Sequence, residues 1–207
     1  MSKYLESRAV SRRTLMKGAA WSVPVVAVAV AAPLAAASQV PAKGLNGWVA
    51  LSTNCGGRNG NTFTVSGQGS FTNGGTSDRG IWLFDGPSAT ISDATIVFYL
   101  NQSNLTFTNS SGAGWSNLVR NTSYDSSAPA SGYYAYVTTY TGTWTYQTGN
   151  FVDNNGNPQT QVWVANTQPY FQANLSSCPS ISAYLTRSVV VDGSKYSFTR
   201  GPVTIGN

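Results

Sequence analysis

The residues that decide the fold are Val189-Val190-Val191-Asp192-Gly193-Ser194-Lys195-Tyr196. Three β-branched valines favour a strand before the turn, and the polar and aromatic residues after it suit a strand that returns beside them. The central Asp-Gly pair tolerates positive φ at both positions, which a two-residue hairpin turn requires. The stretch therefore predicts a tight antiparallel hairpin.

Short apolar runs between turn residues recur along the chain beyond residue 40. This region is rich in Gly, Ser, Thr, Asn, Tyr and Trp, and it contains no Glu, so helix formers are scarce. We predict strands at residues 47–51, 62–66, 80–84, 95–100, 105–108, 133–146, 161–164, 170–175, 184–191 and 196–205, with a short further strand near 115–119. This pattern predicts an all-β fold, an antiparallel immunoglobulin-like β-sandwich of about ten strands after an N-terminal signal helix.

The first 37 residues differ from the rest. Arg12 and Arg13 lie within Ser-Arg-Arg-Thr-Leu-Met-Lys, an apolar stretch follows at residues 23–32, and Ala35 and Ala37 form a small-residue cleavage site. This layout resembles the twin-arginine export signals of small secreted proteins from Gram-positive, actinobacterial-type bacteria. The resemblance covers the signal segment only. It implies passage through the twin-arginine export machinery and a secreted, extracellular or cell-envelope location.

Two segments follow from this layout. Residues 1–37 are expected to be the signal peptide, and residues 38–207 a single secreted β-sandwich domain. An alternative is that the apolar stretch stays uncleaved as a membrane anchor, but Pro33 and the alanines after it favour cleavage. We expect no stable membrane span once the signal is removed, because no second long apolar segment follows.

The charge of the predicted mature chain is close to neutral. The whole sequence carries a formal net charge of +5, but the basic excess is concentrated in the signal segment. Beyond residue 37, seven basic residues stand against six acidic ones. No basic patch remains, so we expect no nucleic-acid binding.

Cys55 and Cys178 are the only cysteines. In an oxidising compartment the simplest arrangement is a disulfide between them. The chain-entropy model assigns the closure of such a long loop a stabilisation on the order of 5 kcal/mol. The alternative, two free thiols that bind zinc, lacks the additional Cys or His ligands, and we predict neither a metal nor another cofactor.

The sequence contains no histidine, which excludes the Ser-His-Asp and Cys-His nucleophile systems. The remaining enzyme hypothesis is a hydrolase with paired aspartates, for which Asp85 and Asp93 are candidates because they flank a turn between two apolar runs. We favour a simpler interpretation, in which each short side chain caps the turn backbone. We therefore predict no catalytic residues.

Aromatic residues recur with even spacing in residues 133–146, which places Tyr134, Tyr136, Tyr140 and Trp144 on one face of a long strand or bent hairpin. One interpretation is that these rings pack against the second sheet as core. The alternative is an exposed platform on which sugar rings stack, as in carbohydrate-binding modules.

Trp115 is the tryptophan that we expect to be most exposed, because Gly114 and Ser116 flank it. It joins Tyr134, Tyr136, Tyr140 and Trp144 as a candidate ligand contact. Together these observations predict a secreted non-catalytic protein that acts in cell-surface or extracellular recognition or structure. The alternatives are a carbohydrate-binding module and a hydrolase with paired aspartates. Expected partners are a cell-wall or extracellular glycan or protein, besides the export machinery.

Overall fold

The computed structural model describes residues 44–57, 60–67, 80–152 and 156–206. By its contacts the chain divides into a unit of residues 1–40 and a unit of residues 41–207, and the described residues belong to the second unit. No helix in the described part is both long and apolar enough to cross a membrane. The whole predicted signal, residues 1–37, lies outside the described part, including Arg12, Arg13, Ala35 and Ala37.

The described chain consists almost entirely of strands joined by turns, with one short 3-10 helix at Thr122–Ser127. The strands are β1 Gly44–Asn46, β2 Ala50–Gly57, β3 Gly60–Ser66, β4 Trp82–Phe84, β5 Ile91–Leu100, β6 Phe107–Asn109, β7 Val119–Arg120, β8 Tyr134–Tyr140, β9 Trp144–Val152, β10 Pro158–Ala165, β11 Tyr170–Leu175, β12 Ile181–Val191 and β13 Ser194–Ile205. The predicted all-β fold is confirmed.

The strands form three antiparallel sheets, with the orders β1-β4-β10-β9, β2-β3-β11-β6 and β13-β12-β5-β8-β7. β1 leads into β2 after three residues, and β10 leads into β11 after four. Both four-stranded sheets bury side chains in the same core cluster as the five-stranded sheet, for example Leu83 of β4, Phe63 of β3 and Phe98 of β5, so they together face the five-stranded sheet as one layer, interrupted between β1 and β2. The five-stranded sheet is the opposing layer, so the molecule is a β-sandwich.

The main core lies between these layers. The four-stranded sheets contribute Leu83 and Phe171, the five-stranded sheet contributes Ile96, Phe98 and Tyr136, and all five side chains are fully buried. Burial of one such apolar side chain stabilises the folded state by about 1.5–3 kcal/mol. Contacts between the layers therefore stabilise the fold.

The predicted hairpin joins β12 to β13. Asp192 and Gly193 have φ values of 49° and 77°, and Val191 pairs with Ser194 across the turn. Positive φ at both central residues defines the turn geometry that Asp-Gly favours. Asp192 Oδ1 also accepts a hydrogen bond of 2.9 Å from the backbone N–H of Thr90, which attaches the turn to the start of β5.

The predicted disulfide is confirmed. It joins Cys55 in β2 to Cys178 in the loop before β12, with Cα atoms 5.9 Å apart and a sequence separation of 123. Cys55 is exposed, so the bond lies at the surface, unlike the core-spanning disulfide of antibody domains. The finer immunoglobulin-like arrangement stays a prediction.

The prediction of one continuous strand or hairpin at residues 133–146 is wrong. β8 belongs to the five-stranded sheet and β9 to the opposing layer, so the chain crosses between layers at residues 141–143. At this crossing Tyr140 Oη donates a hydrogen bond of 2.7 Å to the Thr143 carbonyl. A Cβ on Gly142 would lie 2.6 Å from the Tyr140 side chain, so the corner needs a residue without a side chain.

Candidate functional site

The five aromatic residues proposed as ligand contacts lie mainly in the core. Tyr136 and Tyr140 are buried, and Tyr134 and Trp144 are half-buried and pack against the main core cluster. Trp115 is only 6% exposed, so the expectation that it is the most exposed tryptophan is wrong.

Close packing of the backbone explains the error at Trp115. A Cβ on Gly114 would lie 2.5 Å from Gly142 Cα, so Gly114 is small because two chain segments meet there. This approach lets Trp115 form a bridge with Tyr140, and their ring centroids lie 4.9 Å apart. The small flanking residue marks a contact between segments and not a surface.

The polar ends of these buried rings already have partners. Tyr136 Oη donates to the Gln102 carbonyl at 2.9 Å and accepts from the Leu105 N–H at 3.0 Å. Trp115 Nε1 donates to the Thr167 carbonyl at 3.0 Å. These bonds compensate for the loss of water on burial. They also occupy the polar atoms with which a sugar hydroxyl would have to form hydrogen bonds.

The two candidate catalytic aspartates lie in opposite layers. Asp85 follows β4, and its Oδ1 accepts a hydrogen bond of 2.7 Å from the Gly86 N–H. Asp93 lies in β5, is exposed, and has a φ of 49°. Among the described residues, no three His, Cys, Asp or Glu side chains are grouped closely enough to hold a metal ion. The paired-aspartate hydrolase stays a prediction.

A cleft that none of the predicted site residues lines lies beside the β12–β13 hairpin, at the break between β1 and β2. Its volume is about 260 Å³. The two charged residues among its described lining are Arg187 and Arg200. The apolar side chains that line it include Trp48, Val49, Leu51, Leu185 and Val203.

The alternation of β12 places Arg187 at the inner face. Ile181, Ala183, Leu185, Val189 and Val191 are buried at every second position, and Arg187 falls in the same series. Its exposed fraction is 2%. A charged residue at an apolar position of a strict period-two strand was the sequence signal that would have identified this site.

Arg187 is buried with incomplete compensation. Its Nε donates a hydrogen bond of 2.9 Å to the Gly80 carbonyl, and its guanidinium carbon lies 5.4 Å from the centroid of the Phe198 ring. Its Nη1, however, has no hydrogen-bond partner. None of the carboxylates that the structure describes pairs with it.

Electrostatics make this arrangement costly. Burial, together with the positive charge of Arg200, lowers the pKa of Arg187 to about 9, so the side chain remains protonated at neutral pH. An unpaired ion in a protein interior costs several kcal/mol even after relaxation. An anion placed next to the guanidinium would offset part of this cost.

Gly47 makes the position of Arg187 possible. A Cβ at residue 47 would lie 2.1 Å from the Gly80 carbonyl oxygen and 2.6 Å from Arg187 Nε. Any side chain there would displace the hydrogen bond between those two atoms. The N–H of Gly80 also donates to the Trp48 carbonyl at 3.0 Å, which fixes the segment that forms one wall of the cleft.

Arg200 brings a second positive charge to the cleft from β13. It pairs with Leu185 across the strands, is exposed, and its Nη2 donates to Asn46 Oδ1 at 3.1 Å. The register between β12 and β13 shifts between Ala183 and Leu185. Such a bulge bends the strand, and it lies where β13 carries Arg200 and Val203 to the cleft.

The chemistry of the cleft suits binding. Its described lining offers two guanidinium groups and apolar surface, but no carboxylate, hydroxyl or thiol side chain. It therefore provides donors for an anion without a group to act as nucleophile or general base. No protein-family model, curated protein or solved structure matches the chain.

Proposed function

We propose that this protein is an exported, non-catalytic recognition protein that binds an anionic ligand in the cleft beside the β12–β13 hairpin. The observation that carries the proposal is Arg187. It is 2% exposed, it borders the cleft, and its Nη1 has no hydrogen-bond partner. Buried polar groups are nearly always paired in native proteins, so an exception calls for an explanation. A ligand that arrives from outside provides one.

The export part of the proposal rests on the signal-like sequence around Arg12 and Arg13 and on the small residues Ala35 and Ala37. The disulfide between Cys55 and Cys178 is compatible with an extracellular protein, because such bonds persist in oxidising compartments. The non-catalytic part rests on the lack of histidine in the sequence and on the lining of the cleft.

Fluorescence titration tests the proposal, since Trp48 lines the cleft. The disulfide-intact protein is titrated with small organic acids and with neutral oligosaccharides. We expect a saturable change with acids, which is lost in Arg187→Met. Lys195→Met is the matched control, because it removes the same charge from an exposed position at the start of β13. No saturable response to any anion would contradict the proposal.

A carbohydrate-binding function is the second candidate. Tyr146 and Trp163 are half-buried and their ring centroids lie 5.2 Å apart, which leaves part of an aromatic pair in contact with solvent. Tyr146 Oη also bonds to Gln161 Oε1 at 3.1 Å. Binding of neutral polysaccharides that is lost in Trp163→Ala but kept in Arg187→Met would favour this function.

A further inference from the structure

We propose that the ligand of the cleft is a carboxylic acid with a compact apolar body. This inference rests on the proposed function and specifies the class of anion. The carboxylate would lie at Arg187 and Arg200, and the apolar body would lie against Trp48, Leu185 and Val203.

The charge distribution favours a single compact anionic group. Two arginines border the cleft, and neither has a carboxylate partner among the residues that the structure describes. Each also has one hydrogen bond to the protein, from Arg187 Nε to Gly80 and from Arg200 Nη2 to Asn46. Most of their N–H groups, Arg187 Nη1 among them, therefore remain for a ligand, and a planar carboxylate matches the fork of a guanidinium.

The walls of the cleft favour a ligand that is apolar apart from its carboxylate. Apart from the arginines, the described lining side chains are hydrocarbon or aromatic. A ligand with several hydroxyl groups would lose its hydrogen bonds to water there and gain few in return. An alkyl or aromatic body would instead be removed from water against apolar surface. Sugars, nucleotides and polyphosphates therefore fit this cleft poorly.

The volume limits the size of that body. The cleft measures about 260 Å³, which corresponds to roughly nine water molecules at about 30 Å³ each. An acid with a body of roughly six to eight carbon atoms would fill this space. A longer chain would extend past the mouth, where Val203 is 48% exposed.

The test is calorimetric titration of the wild-type protein with acetate, butanoate, hexanoate, octanoate and dodecanoate. Hexan-1-ol, hexyl phosphate and inorganic phosphate serve as comparison ligands. We expect the affinity to rise about two- to fourfold for each added methylene. The rise should end near octanoate, and hexan-1-ol should bind at least tenfold more weakly than hexanoate.

Two variants locate the binding. Arg187→Met should weaken hexanoate binding at least tenfold, while Lys195→Met should leave it unchanged. Val203→Glu places a carboxylate at the mouth from an exposed position, so the variant should fold and should lose hexanoate binding. This second variant keeps the test decisive if Arg187→Met does not fold.

The outcomes separate the inference from the proposed function. If hexyl phosphate or inorganic phosphate binds more tightly than hexanoate and needs Arg187, the carboxylate class is wrong but the anion-binding function stands. If the affinity does not depend on the chain length of the acid, the inference that the ligand has an apolar body is wrong. If no anion binds, or if the variants of Arg187 and Val203 both bind anions as tightly as wild type does, the proposed function fails as well.

Discussion

Tyr136 and Arg187 make an instructive comparison, since both are buried polar side chains on the inner face of the five-stranded sheet. They lie on β8 and β12, the two strands that flank β5. The fold supplies Tyr136 Oη with a donor and an acceptor, whereas Arg187 Nη1 has none. The same sheet therefore satisfies one hydroxyl completely and leaves one guanidinium nitrogen without a partner, a difference that the proposed function assigns to ligand binding.

The largest effect should come from the disulfide, which constrains the chain that carries both residues. We expect Cys55→Ser combined with Cys178→Ser to lower the free energy of unfolding by about 5 kcal/mol, because the unfolded chain loses the closure of a loop of about 120 residues. Urea denaturation measures the change. A midpoint that does not move would show that the disulfide does not stabilise the sandwich.

Tyr136→Phe tests the satisfied side of the comparison. It leaves the Leu105 N–H and the Gln102 carbonyl without their partner, so we expect a loss of about 1–3 kcal/mol in the free energy of unfolding. Tyr134→Phe is the control, because Tyr134 is only half-buried and should change stability by much less. Equal effects in the two variants would mean that the Tyr136 hydroxyl is not needed by the fold.

Arg187→Met should have the opposite sign. In the absence of ligand it removes an unpaired buried charge, and we expect the free energy of unfolding to stay equal or to rise by about 1–2 kcal/mol. Urea denaturation of both proteins without organic acids in the buffer gives the answer. If Arg187→Met lowers the free energy of unfolding as much as Tyr136→Phe does, Arg187 has a structural role like that of Tyr136.

Arg120 provides a paired arginine for comparison with Arg187. Breaking its ion pair should change the free energy of unfolding least among these substitutions. Its Nη1 donates to Asp125 Oδ1 at 2.9 Å, and Asp125 Oδ1 also accepts from the Ala135 N–H at 2.9 Å. The hydrogen bond from Arg120, followed by that from Ala135, holds the pKa of Asp125 below its usual value. The ion pair is partly exposed, so it should contribute no more than about 1 kcal/mol.

Since the pKa of Asp125 is lower in the folded protein, its contribution is present above the pKa of a free aspartate, about 3.9. It is lost as the pH falls through the folded value. We expect Asp125→Asn to be slightly less stable than wild type at pH 7, with a difference that shrinks as the pH falls below the pKa of a free aspartate. A difference that persists in acid would assign the effect to packing.

Much of the fold could be predicted because its signals are local. The Asp192-Gly193 turn follows from the φ values that these residues tolerate, and the strand at residues 170–175 follows from composition. The disulfide follows from the presence of two cysteines alone. The crossing at residues 141–143 could not be predicted, because the contact between Gly142 and the Tyr140 ring depends on which sheet each strand joins.

The candidate site was harder to predict because it too depends on contacts between distant segments of the chain. Trp115 was placed at the surface because its neighbours are small, although Gly114 is small in order to meet another chain segment. Arg187 was overlooked because a single arginine in a strand usually faces solvent. Its period-two register with Leu185 and Val189 does show the inner face, but the missing partner of its guanidinium becomes visible only in three dimensions.

Gly47 bears on how related proteins could be recognised from their sequences. A residue with any side chain at that point would displace the hydrogen bond between Gly80 and Arg187, so we expect a descendant without this glycine to hold its arginine differently. The three positions should consequently change together or not at all, although they lie far apart in the sequence. A Gly, a second Gly about 33 residues later and an Arg at an inward position of the strand that corresponds to β12 form a spaced signature, and we expect a divergent chain that bears it to keep the same arrangement around its arginine.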